Sequence, residues 1–64
     1  MSLEQFAELQ RGERLRDRQG RAWTVTAEPF QQHGLAHVVV RSGDLVRQVN
    51  ERWADDYALL SQNG

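Results

Sequence analysis

Arginine is the residue type with the most distinctive arrangement in this sequence of 64 residues. All eight basic residues are arginines, and five of them lie with only two acids in segment 11–21, which gives +3 there and −4 elsewhere. Side chains alternate across a β-strand, so Arg14, Arg16 and Arg18 are predicted to share one face. Guanidinium groups in such a row can donate paired hydrogen bonds to phosphate oxygens. The first candidate site is therefore a contact with the RNA or DNA backbone formed by Arg14, Arg16, Arg18 and Arg21.

The charge of the whole chain weighs against that interpretation. The formal net charge is −1, and the chain contains no lysine, whereas nucleic-acid-binding domains are typically basic. Acids such as Glu13 and Asp17 could pair with the arginines on a solvated strand face. Nucleic-acid binding is therefore the alternative, and contact with another protein is the preferred prediction.

The aromatic residues provide the candidate protein contact. Large aromatic side chains dominate both protein cores and interface hot spots. Trp23 is predicted in the core, whereas Phe30 follows Pro29 beside a polar loop and is predicted to be exposed. Trp53 and Tyr57 are four residues apart, so on a helical turn they can form one patch, although they could instead close the end of the core. The candidate protein-binding residues are Phe30, Trp53 and Tyr57.

The histidines and acids do not form a catalytic or metal-binding pattern. His33 and His37 are predicted in a loop and on a strand, with no third ligand nearby in sequence. Asp55 and Asp56 are adjacent, but a carboxylate pair needs a pocket for acid–base catalysis. The sequence also lacks cysteine and the motifs of hydrolases and nucleotide-binding enzymes. We predict a non-enzymatic protein with no catalytic, cofactor-binding or metal-binding residues and no evident small-molecule substrate.

The N-terminal segment has the pattern of a short amphipathic helix. Ser2 and Gln5 fit a capping box, in which each side chain binds the backbone N–H of the other residue. Apolar residues then recur at helical spacing around Phe6, and Gly12 suits a helix end. The sequence predicts a helix over about residues 3–11.

The middle of the chain has the pattern of β-strands. Gly20–Ala27 alternates strictly and begins after a predicted turn at Asp17–Gly20. Glu13–Arg18 is predicted as a short strand, and Gln31–Gly34 as a loop. Leu35–Arg41 is apolar on both faces, which is typical of a central strand. The residues predicted to share one face of the alternating strand are Trp23, Val25 and Ala27.

The last twenty residues fit two structures. Five apolar residues recur at helical spacing, which would give a helix over 44–60 and an α+β fold with a three-stranded antiparallel sheet. The turn signal around Gly43 favours a hairpin instead. We predict a strand over 45–50, a single helical turn near 53–56 and a closing strand over 57–61. The five residues at helical spacing are Val46, Val49, Trp53, Tyr57 and Leu60.

This order of elements resembles the small five-stranded SH3-like barrels that occur in short bacterial and phage proteins. The resemblance implies a mainly β fold, a small SH3-like barrel with one helical turn before the last strand, to which the short N-terminal helix is an addition. It covers about residues 13–61. Peptide-binding SH3 domains of signalling proteins use an acidic loop that this chain lacks, so a proline-peptide site is not implied. The residues that carry the resemblance are Leu15–Val25, Val38–Val40, Gly43, Val49, Trp53 and Tyr57–Leu60.

The size of the chain predicts a single domain over 1–64. A domain this small buries only about 60% of its unfolded surface, and it has no disulfide to add stability. Association with a protein partner or a second copy is therefore expected. The sequence has no apolar run of about 20 residues and no signal-peptide pattern, which predicts a cytoplasmic protein without membrane contact.

Overall fold

The computed structural model describes residues 1–60, and most of them belong to β-strands. The strands alternate with tight turns, and a single α-helix precedes them. A 3-10 turn separates the last two strands. In chain order the elements are α1 (Leu3–Ala7), β1 (Arg14–Asp17), β2 (Ala22–Val25), β3 (Phe30–Gln32), β4 (Leu35–Ser42), β5 (Leu45–Asn50), the 3-10 turn (Glu51–Asp56) and β6 (Tyr57–Leu59).

The six strands form one open antiparallel sheet. The order of the strands across the sheet is β6, β1, β2, β4 and β5. One edge of β4 pairs with two strands, with β3 along its first half and with β2 near its end. The predicted mainly β fold, with a short N-terminal helix and a helical turn before the last strand, is confirmed. The sheet has one strand more than the five expected, because residues on both sides of the β3–β4 turn pair with each other.

The core lies on one face of this sheet, called the inner face below. Trp23, Leu15 and Phe6 are each 1% exposed and are its largest fully buried side chains. Helix α1 contributes Phe6 and packs against the 3-10 turn. The terminal amino group of Met1 donates to the carbonyl oxygens of Ala54 and Tyr57 at 2.9 and 2.8 Å. The N-terminal segment therefore closes one end of the core.

Helix α1 is shorter than predicted, ending at Ala7 instead of near residue 11. The capping box is present as expected, with Ser2 and Gln5 each bonded to the backbone of the other. The chain leaves the helix at Glu8 and turns Leu9 into the core, where it is 3% exposed. Burial of Leu9 therefore outweighs the helix continuation that its spacing suggested.

The second strand also ends earlier than predicted. It stops at Val25, so Ala27 is exposed instead of sharing the inner face with Trp23. The predicted loop over 31–34 is partly strand, because β3 includes Gln31 and Gln32. His33 and Gly34 have φ values of 54° and 78°, as the central residues of a type I′ hairpin turn require.

The C-terminal segment forms the predicted strand, turn and strand. β5 pairs with β4 along its whole length, so the alternative helix over 44–60 and its three-stranded α+β fold are wrong. Gly43 has a φ of 60° at the first central position of the turn, as a type II′ hairpin requires. The closing strand ends at Leu59, and residue 61, included in the prediction, lies outside the described residues.

Candidate protein-binding site

Trp53 is the most exposed aromatic side chain of the described residues. It lies on the 3-10 turn and is 55% exposed. Tyr57, four residues later at the start of β6, is only 5% exposed. Of the two predicted roles for this pair, Tyr57 therefore helps to close the core, and Trp53 offers its ring to solvent.

The two residues nevertheless border the same shallow pocket, which has a volume of about 250 Å³. The 3-10 turn, the β1–β2 turn and β5 all contribute to its wall. The pocket is open to solvent, and Trp53 is the exposed aromatic side chain of its lining. The lining residues are Asp17, Arg18, Gln19, Arg47, Trp53, Asp56 and Tyr57.

Arg47 connects the pocket to the core. Its guanidinium carbon lies 4.4 Å from the centroid of the Trp23 ring, a cation–π contact. Its Nη1 donates to the hydroxyl oxygen of Tyr57 at 3.0 Å. β5 positions this side chain. Arg47 lies on the same face of the strand as Leu45 and the buried Val49, so it projects toward the inner face. Arg47 is thus held between the Trp23 ring and the Tyr57 hydroxyl group.

Asp17 forms the opposite wall and is fully hydrogen-bonded. Its Oδ1 accepts from the backbone N–H groups of Gln19 and Arg21, both at 2.9 Å. Its Oδ2 accepts from the indole N–H of Trp23 at 3.0 Å. The Trp23 bond has the largest effect and lowers the pKa of the Asp17 carboxyl below its usual 3.8; burial, next in size, opposes it, and the backbone N–H bonds and the charge of Arg47 lower the pKa further. Asp17 is therefore ionised at neutral pH.

The remaining charges of the pocket also pair with each other. The Nε of Arg18 donates to Asp56 Oδ1 at 2.5 Å. This position corrects a prediction, because β1 ends at Asp17 and places Arg18 in the turn instead of on the strand face with Arg14. With two acids and two arginines engaged with neighbours, the pocket presents an aromatic surface on a neutral, bonded floor.

Phe30 is not part of this pocket. It lies on β3 and stacks on His37, with the ring centroids 5.6 Å apart and 20° between the planes. The Phe30 side chain is 39% exposed, whereas His37 is 9% exposed. His37 Nε2 lies 3.2 Å from the Gln32 carbonyl oxygen, and its Nδ1 lies 3.1 Å from the side-chain amide of Gln48. The three predicted aromatic contacts therefore do not form one surface.

The arginines divide into two groups. Arg14 and Arg16 project from β1 on the outer face of the sheet, opposite the buried Leu15. Arg18 and Arg21 instead lie in the β1–β2 turn region and do not continue this row. The strand register brings Arg41 to the same outer face, because Arg14 lies opposite Thr24 and Thr24 lies opposite Arg41.

The outer arginine row, defined as Arg14, Arg16 and Arg41, has no acidic partner in the part of the chain that the structure describes. Among residues 1–60 the single pair of opposite charges within 4.0 Å is that of Arg18 with Asp56. Sequence reasoning missed Arg41 because the register across β2 was needed to place it. It also missed Arg47, although an arginine at an inward position of a strand was a usable signal.

Within the described range, no three His, Cys, Asp or Glu side chains are grouped closely enough to hold a metal ion. No helix formed by residues 1–60 is both long and apolar enough to cross a bilayer. No protein-family model, curated protein or solved structure matches this chain.

Proposed function

We propose that this chain is a non-enzymatic protein-binding module that contacts its partner through the pocket beside Trp53. The observation that carries the proposal is the 55% exposure of Trp53 at the edge of a pocket whose floor includes Tyr57 and Arg47. An exposed tryptophan on a rigid support is typical of an interface hot spot, because it supplies a large contact area at low conformational cost.

The charges around the pocket indicate which part of a partner would bind. Asp17 and Asp56 already accept hydrogen bonds, and Arg18 and Arg47 already donate them. A charged ligand would have to compete with these contacts, whereas an apolar or aromatic side chain could pack on Trp53 without disturbing them. The expected contact is therefore an apolar side chain of another protein, with little dependence on salt.

A peptide library displayed on phage and selected on the intact domain tests this proposal. We expect selected peptides to lose at least about tenfold in affinity for Trp53→Ala, as hot-spot removal does. Leu45→Ala is the matched control, because Leu45 is 50% exposed but lies at the far end of β5 and outside the pocket. A selection in which no peptide depends on Trp53 would contradict the proposal.

Nucleic-acid binding remains the second candidate because one observation favours it. The outer arginine row has no carboxylate within 4.0 Å among residues 1–60. Its guanidinium groups keep N–H donors for phosphates, although the Nε of Arg41 donates to the Gly43 carbonyl oxygen at 2.8 Å. Against it, the chain has a net charge of −1, and Arg18 is engaged by Asp56. We therefore place this function second.

Retention of labelled RNA and DNA at several salt concentrations distinguishes the two candidates. We expect no measurable retention at physiological salt. If the outer arginine row did bind, changing Arg14, Arg16 and Arg41 to Gln would lower the salt slope by about three, one for each lost phosphate contact. Tight retention that falls with salt and with this triple change would reverse the ranking.

A further inference from the structure

Strand β5 is an edge of the sheet with an unusually open backbone. It spans six residues, Leu45–Asn50, and pairs with β4 on one side only. No strand among residues 1–60 pairs with its other side. β6, at the opposite end of the sheet, has only three residues. The longer free edge therefore belongs to β5.

The hydrogen bonds of β4 show which groups of β5 point outward. The carbonyl oxygen of Val39 accepts from the backbone N–H of Thr26, on the β2 side of β4. Gln48, which lies opposite Val39, is therefore in a pair without mutual backbone bonds. Its N–H and C=O groups point away from the sheet. Alternation gives the same outward direction to the backbone groups of Val46 and Asn50.

β5 has few of the features that usually protect a sheet edge. Protected edges are short, or carry proline, bulges or charged side chains, including charges that point inward. β5 contains no proline, and its six pairs with β4 run without interruption. Its one charged residue, Arg47, does point inward, but its guanidinium group already lies on the Trp23 ring and donates to the Tyr57 hydroxyl. Val46, in contrast, is 66% exposed. The edge is thus free to accept another strand.

We infer that two copies of this chain pair antiparallel through β5, with the two-fold axis at Gln48. A C2 contact of this kind uses the same residues on both copies. Gln48 would exchange two backbone bonds with Gln48 of the partner subunit. The carbonyl oxygen of each Val46 would accept from the N–H of Asn50 of the partner subunit.

The side chains select this register over the neighbouring one. A two-fold axis at Arg47 would place two arginines directly opposite each other, which is unfavourable. With the axis at Gln48, Arg47 lies opposite Val49 of the partner subunit, and Val46 lies opposite the polar Asn50. Residues 45–51 carry one positive and one negative charge, Arg47 and Glu51, so two copies of the segment do not repel. This self-complementarity argues for a second copy as the occupant.

The pairing uses the backbone of β5 and does not require Trp53, although Arg47 of β5 also lines the pocket, so the inference does not rest on the proposed function. The test uses the intact chain in sedimentation equilibrium over a range of concentrations. Gln48→Pro removes the outward N–H, and proline is tolerated on an edge strand where its nitrogen faces away from the ladder. Gln48→Ala is the matched control, because it removes the side-chain bonds to His37 and Gln32 but keeps the N–H.

We expect the wild-type chain to dimerise with increasing concentration, and Gln48→Pro to weaken the dimer at least about tenfold, since one change removes two bonds. Gln48→Ala should stay within about threefold of wild type. A wild-type chain that remains monomeric at millimolar concentration overturns the inference. A Gln48→Pro variant that dimerises as well as wild type also overturns it, provided that the NMR spectrum of its backbone amides shows a folded chain.

An NMR measurement on wild type alone decides the case if Gln48→Pro does not fold. A mixture of labelled and unlabelled chains should show an intermolecular contact between the Hα atoms of Arg47 and Val49 of the partner subunit. That contact is diagnostic because the two residues form a pair without mutual backbone bonds, in which the Hα atoms approach closely. A dimer without this Hα contact would use another surface and would contradict the inference. A strand from a different protein bound to β5 would also refute self-pairing.

Discussion

The Trp53 pocket and the outer arginine row are both rich in charged residues, but their charges are arranged in opposite ways. In the pocket, Asp17, Arg18 and Asp56 are bonded to neighbours, and Arg47 lies on the Trp23 ring and donates to the Tyr57 hydroxyl. On the outer face, no arginine of the row has an acidic partner among residues 1–60. The pocket therefore offers a partner the exposed Trp53 ring, whereas the outer face offers it unpaired positive charges.

This difference determines how each region can bind. Apolar contact is short-ranged and nearly independent of salt, whereas contact with phosphates weakens steeply as salt is added. The exposed ion pair of Arg18 with Asp56 adds little stability by itself. The ion pair matters because Asp56 balances the charge of Arg18, which is then no longer part of the cationic surface. The neighbouring Trp53 therefore lies beside paired charges.

Trp23→Ala should have the largest effect, because this residue supports the pocket from below. Loss of a buried aromatic side chain typically costs about 3–5 kcal/mol. Trp23 also donates to Asp17 and carries the Arg47 guanidinium. We expect the variant to be unfolded at room temperature by circular dichroism. A normal melting curve would mean that the inner face of β2 is wrongly assigned.

Tyr57→Phe tests the pocket floor with a smaller change. It removes only the hydroxyl that accepts from Arg47, and loss of such a bond typically costs about 0.5–1.5 kcal/mol. We expect a folded variant with a lower midpoint of urea unfolding. Because Tyr57 is 5% exposed, an unchanged midpoint would show that the Arg47 bond does not form in solution.

The stability of the pocket wall should depend on acid pH through Asp17. Its folded-state pKa lies below the usual 3.8, so the stabilisation is fully present above that value. As the pH falls below 3.8 and through the folded pKa, protonation removes it. Urea unfolding between neutral pH and pH 2 should therefore show a loss of stability that is smaller in Asp17→Asn. Equal acid sensitivity in both proteins would assign the loss to other carboxyl groups.

The smallest effects on stability should come from the two exposed surfaces themselves. Trp53→Ala, and separately the change of Arg14, Arg16 and Arg41 to Gln, should each alter the free energy of unfolding by less than about 1 kcal/mol, as surface substitutions usually do. Thermal unfolding measures both. A large loss in Trp53→Ala would identify Trp53 as part of the core and remove the basis of the protein-binding proposal.

Local patterns in the sequence were sufficient to predict much of the fold. The alternation around Trp23 and Val25, the capping box at Ser2, and the turn signal at Gly43 each act within a few residues, so they can be recognised without a structure. The helix end near Leu9 was mispredicted because burial in the tertiary core overrode the helical spacing.

The candidate site was harder to predict because it depends on register and on long-range contacts. Arg47, Trp23 and Asp17 are far apart in sequence but meet beside one pocket. Nothing local distinguishes Arg18, bound to Asp56, from Arg14, which has no such partner. Only the end of β1 at Asp17 separates them, and strand ends are the least certain feature of a sequence prediction.

The central claim is that the domain binds another protein through the Trp53 pocket. Its most direct test is an NMR titration of the intact domain with a peptide selected on it, followed through the N–H signals. We predict that the indole N–H of Trp53 and amides bordering its pocket shift most. The affinity should stay within about twofold between about 50 and about 200 mM salt. Shifts confined to Arg14, Arg16 and Arg41, with an affinity that falls at least about tenfold over that range, would contradict the claim.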